Sequence, residues 1–337
     1  MSEAAAGTGQ GMAGSVRFVL DGRVRELRGV DPAMTVLQWL RGVERRCGTK
    51  EGCAEGDCGA CTVVLGELRE GRVRLLPVNA CILFLPALDG KALFTVESLR
   101  QDGQLHPVQQ ALVDCHGSQC GFCTPGFVMS LYALYESGPV PSRRRIDDAL
   151  GGNLCRCTGY RPIADAARRA YELGRSAGAA ARDRLASQLR TIARQDTLAL
   201  EHGGHRFFAP RTGDALAELC ERYPAANLLA GGTDVGLWVT KGHRELEVLL
   251  PTTTRALRGL PPPSPSLATM APSLGLTAAA GPLLHAGEAR APPRRHTLPR
   301  PSPEAAPLSR LSLDLAVEGR CGARRALFAD GGRPVPS

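Results

Sequence analysis

No stretch of the 337-residue chain approaches the roughly 20 consecutive apolar residues that cross a bilayer, which excludes a helical membrane span. The start, MSEAAAGTGQGMAGS, has neither a basic cluster nor an apolar core. Residues 1–13 therefore read as a flexible leader rather than a secretory signal, and the expected location is the cytoplasm. No helix shows a sustained basic face with interleaved aromatics. The formal charge of +8 is local, because residues 251–337 hold eleven arginines against five carboxylates. Nucleic acid is accordingly not an expected partner, and neither is a membrane. The same segment has a single aromatic, Phe328, and no strand or helix rhythm, too little to build a core.

What the chain does have is cysteine, twelve in all. Without an export signal these do not suggest a disulfide scaffold. In a reducing compartment, grouped thiols more often hold metals or do chemistry.

The pattern divides the chain. SVRFVLDGRVRELRG (15–29) predicts a hairpin turning at Asp21-Gly22. TVLQWLRGV (35–43) predicts a helix capped by Thr35. The runs CTVVLGEL, RVRLLPVNACILFL and KALFTVESL read as strands, so residues 14–100 form a small α+β domain. Residues 101–173 hold four helical segments, HPVQQALVDC, TPGFVMSLYALYES, SRRRIDDAL and YRPIADAARRAYEL, with Pro107 and Pro125 early in their segments, where proline is tolerated. An Ala/Arg-rich linker (174–204) leads to a further α+β segment (205–250) with an amphipathic helix over about 212–223 and the strand-and-loop NLLAGG.

Eight cysteines fall into two sets. Cys53, Cys58 and Cys61, with Cys81 at a distance, have the C-x4-C-x2-C…C spacing of a plant-type [2Fe–2S] site. Two bridged irons each need two further soft, anionic ligands, which thiolates supply. Gly52, Gly56 and Gly59 let the loop curl closely and aim N–H groups at sulfur. A four-thiolate zinc loop is the alternative, though its gaps are usually shorter in both halves. The second set is Cys120-x2-Cys123 and Cys155-x-Cys157, whose spacing alone leaves an iron–sulfur cluster, zinc or a redox disulfide open. A cluster there would profit from helix N-termini. Cys47, Cys115 and Cys220 are expected to pack as small hydrophobes, His106 to be structural, and Met129 and Tyr132 to lie in the core. Cys321 lies in the atypical tail.

Together GCAEGDCGACTVVL, SQCGFCTPGFVMSLYALY and GGNLCRCTGYRPI resemble the two-cluster region of the molybdenum hydroxylases. LLAGGTDVGLWVTK is similar to the first flavin-binding loop of that family. This order on one chain resembles the small iron–sulfur/FAD subunit of the bacterial xanthine dehydrogenase branch, over residues 14–250. The resemblance implies a β-grasp ferredoxin domain, a four-helix [2Fe–2S] domain and the start of an FAD-binding domain. It implies that Cys120, Cys123, Cys155 and Cys157 ligate the cluster nearer a molybdopterin held by a separate large subunit, that Gln119 hydrogen-bonds the pterin, and that Cys53, Cys58, Cys61 and Cys81 hold the cluster nearer FAD. Leu229, Ala230, Gly231, Gly232, Thr233, Asp234 and Val235 would cradle the flavin pyrophosphate, for which AGGTD is itself suited because its glycines permit close backbone approach.

The implied function is electron transfer from a partner that hydroxylates hypoxanthine or xanthine to urate, through both clusters to FAD and NAD+, in a heterotetramer or larger assembly. An aldehyde, another N-heterocycle or an aromatic acyl thioester are the other substrate classes. A two-cluster carrier without flavin and a zinc-dependent interaction protein are the remaining alternatives. Beyond Leu250 nothing resembles the rest of the family's flavin domain, and the composition of residues 251–337 looks like out-of-frame translation.

Overall fold

The computed structural model describes residues 14–174, 178–252 and 319–320. The expectations for the leader, for Cys321 and for nearly all of the 251–337 tail lie outside the described residues. The described residues form two compact units, one from those up to Phe207 with Gly232–Glu247, the other from Phe208–Gly231 with those from Val248 onward.

The first unit begins with β1 (Ser15–Leu20) and β2 (Arg23–Arg28), paired antiparallel across the expected turn. Asp21 and Gly22 both take positive φ there, as a two-residue hairpin turn requires. Next, α1 (Val36–Gln38) is capped reciprocally by Thr35 and Gln38. It widens at once into a π-turn, Trp39–Val43, where the sequence predicts a plain helix. Then β3 (Thr62–Arg69) and β4 (Arg72–Asn79) form a second hairpin, and β5 (Ala92–Phe94) completes a sheet ordered β2-β1-β5-β3-β4. This is a ferredoxin-like arrangement, with β1 and β5 parallel at its centre. The expected strands after residue 79 and after residue 94 are shorter than their apolar runs. Pro86 and the Thr95–Ser98 capping interactions bend them into 3-10 turns at Leu85–Leu88 and Val96–Leu99.

Both faces of the sheet are covered. Phe18 meets the Trp39 ring edge-on at 5.4 Å on one side. Its neighbour Val19 points to the opposite face, as strand geometry dictates. On that face the four expected helices are α2 (Pro107–Asp114), α3 (Thr124–Glu136), α4 (Arg143–Leu150) and α5 (Arg161–Glu172). Their core, built on Phe127, Met129, Leu131, Ile146 and Ile163, also takes in Val64 of β3 and Leu99, so helices and sheet share one interior; Tyr132 packs at its edge. His106 caps α2 by accepting from Val108 N at 3.2 Å, the structural part expected of it.

The 174–204 stretch is more than a connection. It holds α6 (Gly178–Thr191), whose continuation lays Leu185, Leu189 and Ile192 on Val19, Leu68, Val73, Ala92 and Phe94. Arg194 then pins the chain to Asp89 at 3.1 Å and to the Ser15 carbonyl at 2.8 Å. β6 (Leu198–His202) and β7 (His205–Ala209) follow as a hairpin.

In the second unit α7 (Gly213–Arg222), capped by Thr212, precedes β8 (Asn227–Leu229). β8 pairs in parallel with β9 (Val248–Pro251) and antiparallel with the two-residue β10 (Gly319–Arg320). Between β8 and β9 the chain makes α8 (Thr233–Thr240), which belongs to the first unit. No helix among the described residues is long and apolar enough to cross a membrane.

Candidate metal centres

The first thiol set is assembled by a loop and a hairpin. Cys61 immediately precedes β3 and Cys81 lies just beyond β4, so the register Thr62↔Asn79 brings them together despite their distance in sequence. Cys53 and Cys58 sit on the glycine-rich loop that leads into β3. Gly56 and Gly59 have φ near +79° and +71°, conformations that side chains rarely adopt. A Cβ on Gly52 would stand 2.8 Å from Cys58 Sγ. The loop therefore closes on its own sulfurs only because these positions are glycine. Asn79 holds it by donating to the Gly56 carbonyl at 2.6 Å.

Backbone N–H groups point at sulfur as expected. Glu55, Asp57 and Cys58 N lie 3.3–3.4 Å from Cys53 Sγ, and Gly56 N lies 3.2 Å from Cys81 Sγ. Thiol hydrogen bonds join Cys53 to Cys58 and Cys61 to Cys81, and the Cys53 charge also reaches Cys81. Within each pair one ionises at the other's expense. Burial opposes ionisation of Cys53, but the N–H donors outweigh it and lower its pKa, while burial raises that of Cys58. The hydrogen bond from Cys81 brings Cys61 down to about 7, and the same bond pushes Cys81 up.

The second set lies at the helix starts. Cys123 is the N-cap of α3, and Cys155 and Cys157 lie on the turn that enters α5. Again the thiols pair, Cys123 with Cys155 and Cys120 with Cys157. Burial, then the Cys155 contact, pushes Cys123 up to about 12. Burial also resists ionisation of Cys155, but Thr158, whose Oγ1 is 3.2 Å from the sulfur, lowers it on balance. Tyr160 anchors the turn: its hydroxyl accepts from Cys155 N at 3.0 Å while its own backbone takes φ of 68°. Cys61 and Cys81 are buried, whereas Cys120, Cys157 and Gln119 are exposed.

The eleven cysteines among the described residues are free thiols, so no disulfide engages the second set. Nor do three His, Cys, Asp or Glu side chains among them converge on one point that would hold a single ion. A two-iron cluster asks for four thiols, two at each of two irons, and each set supplies four. The donor sets fit [2Fe–2S] groups.

The two sets are joined. Leu154 N, beside Cys155, donates to the Cys58 carbonyl at 3.0 Å. Asn153 donates to the Gly59 carbonyl at 3.0 Å and to Thr62 Oγ1 at 3.1 Å, and accepts from Ser130 Oγ at 2.6 Å. Asn79, Asn153, Thr158 and Tyr160 were not legible as functional residues. A polar residue inside a Cys/Gly motif carries no sign of whether it points inward.

The glycine loop of residues 229–235 follows the expected strand-and-loop pattern. Leu229 ends β8, Gly232 is the left-handed N-cap of α8 with φ of 79°, and Thr233, Asp234 and Val235 form its first turn. Leu229, Ala230 and Gly231 belong to the second unit and Gly232–Val235 to the first. Further along, α8 packs on the first thiol loop. Gly236 lies so close that a Cβ would stand 2.7 Å from the Ile82 carbonyl, and Thr240 Oγ1 donates to the Ala54 carbonyl at 3.0 Å.

Of the leftover thiols, Cys220 is buried and Cys115 packs half-buried against the helical core. Cys47 does not pack as a small hydrophobe: it is exposed, on a loop held through its carbonyl by Arg41 and Lys50, which leaves the side chain outside.

Residues 18–85 match the 2Fe-2S iron-sulfur cluster binding domain family, and residues 95–168 match the [2Fe-2S] binding domain family. Xanthine dehydrogenase from Emericella nidulans is 52% identical over 155 residues, covering 45% of this chain and 11% of that protein. Human aldehyde oxidase is 48% identical over 157 residues, covering 46% of this chain and 12% of that protein. The chain thus spans only about an eighth or less of the curated relatives it matches. Among solved structures, quinoline 2-oxidoreductase from Pseudomonas putida 86 aligns at 31% identity over 52% of this chain and 96% of that one, with a TM-score of 0.41.

Proposed function

We propose that this chain, whose residues 18–168 form a molybdenum hydroxylase iron–sulfur region, is the electron-transfer component of a xanthine dehydrogenase-like assembly. It would carry electrons from a molybdopterin site on a large partner subunit to FAD and NAD+, within a heterotetramer or larger complex. The observation that carries this reading is the presence of two four-thiol sets whose loops are joined by a backbone hydrogen bond from Leu154 to the Cys58 carbonyl. When bound, each [2Fe–2S] group supplies one-electron redox chemistry.

In this reading Cys53, Cys58, Cys61 and Cys81 are the ligands of one group, and Cys120, Cys123, Cys155 and Cys157 those of the other. The N–H groups of residues 55–58 stabilise added negative charge at the first set. Exposed Cys120 and Cys157, with exposed Gln119, Phe122 and Leu154 close by in sequence, face the molybdopterin subunit. The Leu229–Val235 loop binds the flavin pyrophosphate, and α8, which its last residues open, rests on Ile82 and Ala54 beside the first set. The partner's pocket sets the substrate: hypoxanthine or xanthine, or else an aldehyde, another N-heterocycle or an aromatic acyl thioester. A two-centre carrier without flavin is the second reading.

The test is the flavin-to-iron ratio of this chain, purified anaerobically after co-expression with a molybdopterin-binding large subunit. About four irons and one FAD support the dehydrogenase component. The same iron without flavin leaves the two-centre carrier. A chain that takes up neither iron nor its partner overturns both.

A further inference from the structure

We propose that Asn153 is a positioning residue that sets the separation of the two centres, an inference that rests on the two-centre reading above. Asn153 is 4% exposed, and its side chain reaches three separate elements. Nδ2 donates to the Gly59 carbonyl at 3.0 Å and to Thr62 Oγ1 at 3.1 Å. The amide oxygen accepts from Ser130 Oγ at 2.6 Å. Only this amide orientation works, because the Gly59 carbonyl can only accept.

Two of these partners adjoin a thiol, and the third lies on a helix capped by one. Gly59 adjoins Cys58, Thr62 adjoins Cys61, and Ser130 lies on α3, whose N-cap is Cys123. Asn153 itself stands two residues before Cys155. One buried amide therefore touches the supports of both sets, next to the Leu154–Cys58 backbone link.

The surrounding packing leaves no slack. A Cβ on Gly59 would stand 2.2 Å from the Gly152 carbonyl oxygen, and one on Gly126 would stand 2.2 Å from that of Gly59. Loop, helix and turn meet backbone to backbone, and Asn153 fills the corner between them. Its chemistry rules out other parts. An amide is no soft ligand for iron, does not titrate, and at this burial meets no substrate. A buried amide with its partners withdrawn is costly, so the three elements hold their register or the amide is stranded.

The test uses the full chain with both centres loaded, reduced with dithionite, and reads the magnetic interaction between the two reduced centres by low-temperature pulsed EPR. Iron and sulfide in the wild type decide the two-centre reading first: if they are absent, that reading fails and takes this one with it. If they are present, Asn153→Ala is expected to keep each centre's own signal while the interaction, which falls with the cube of the separation, weakens or spreads. Ser130→Ala and Thr62→Val each remove one hydroxyl from the clamp and are expected to shift it less. A merely structural residue would lower the loaded fraction and leave the interaction within that fraction unchanged. Should Asn153→Ala fail to load, Ser130→Ala and Thr62→Val decide by the same measurement. A wild-type interaction in every loaded variant overturns the assignment.

Discussion

Replacing Gly126 by alanine sets two elementary effects against each other. Gly126 lies in the first turn of α3, where alanine is the better helix former by up to about 1 kcal/mol. Yet the added methyl would stand 2.2 Å from the Gly59 carbonyl oxygen and 3.0 Å from Asn153 Nδ2. Comfortable contact between carbon atoms begins at about 3.5 Å. The obstacle is backbone, and that backbone is held by Thr62 and Asn153, so it cannot swing aside. Overpacking of this kind costs about 1–3 kcal/mol, and displacing Gly59 also gives up a buried hydrogen bond of about 1 kcal/mol. Sterics outweigh propensity, and the net destabilisation is about 1–3 kcal/mol. The assay is urea denaturation of the iron-loaded chain, followed by bleaching of its visible absorbance, beside the wild type. With a slope of about 2 kcal/mol/M, the midpoint falls by roughly 1 M. A midpoint at or above wild type would refute the argument, since it would mean that helix and thiol loop are not in backbone contact.

Three other outcomes follow from named contacts. Burial lowers His106 to about 4, so below about pH 6.5 the unfolded chain takes a proton that the folded chain refuses; stability is full above that pH and falls by up to about 3 kcal/mol toward pH 4. His106→Asn keeps a capping acceptor and should flatten this arm of the urea midpoint against pH; parallel curves for variant and wild type would contradict it. Cys81→Ser should empty the first centre and Cys157→Ser the second, each leaving about half of the iron and one of two EPR signals; loss of all iron in either would mean that the centres do not form separately. Gly236→Ala drives a methyl against Ile82 and should raise amide exchange in α8 and around Ala54, with unchanged exchange refuting the close packing of that helix.

The thiol sets were legible because ligand spacing is written in sequence, and the helices because their apolar residues recur with the helical period. The Asp21-Gly22 hairpin was legible from turn chemistry. What escaped had weaker signals. In and just after α6 the apolar residues Leu185, Leu189 and Ile192 keep helical spacing, but an Ala/Arg background hides them, and the sheet they cover is distant in sequence. The π-turn at Trp39–Val43, whose first residue packs on Phe18, has no mark in the local sequence. Asn153 read as part of a loop because its three partners lie 23 to 94 residues away and only the fold gathers them. Tyr160 takes a backbone conformation that its residue type does not announce, imposed by the turn that carries Cys155 and Cys157.

The central claim is that the paired thiols hold two two-iron groups rather than single ions. Its most direct test is iron, acid-labile sulfide and zinc per chain after anaerobic purification. The account predicts about four irons and four sulfides with no zinc. About two zincs and no sulfide would contradict it.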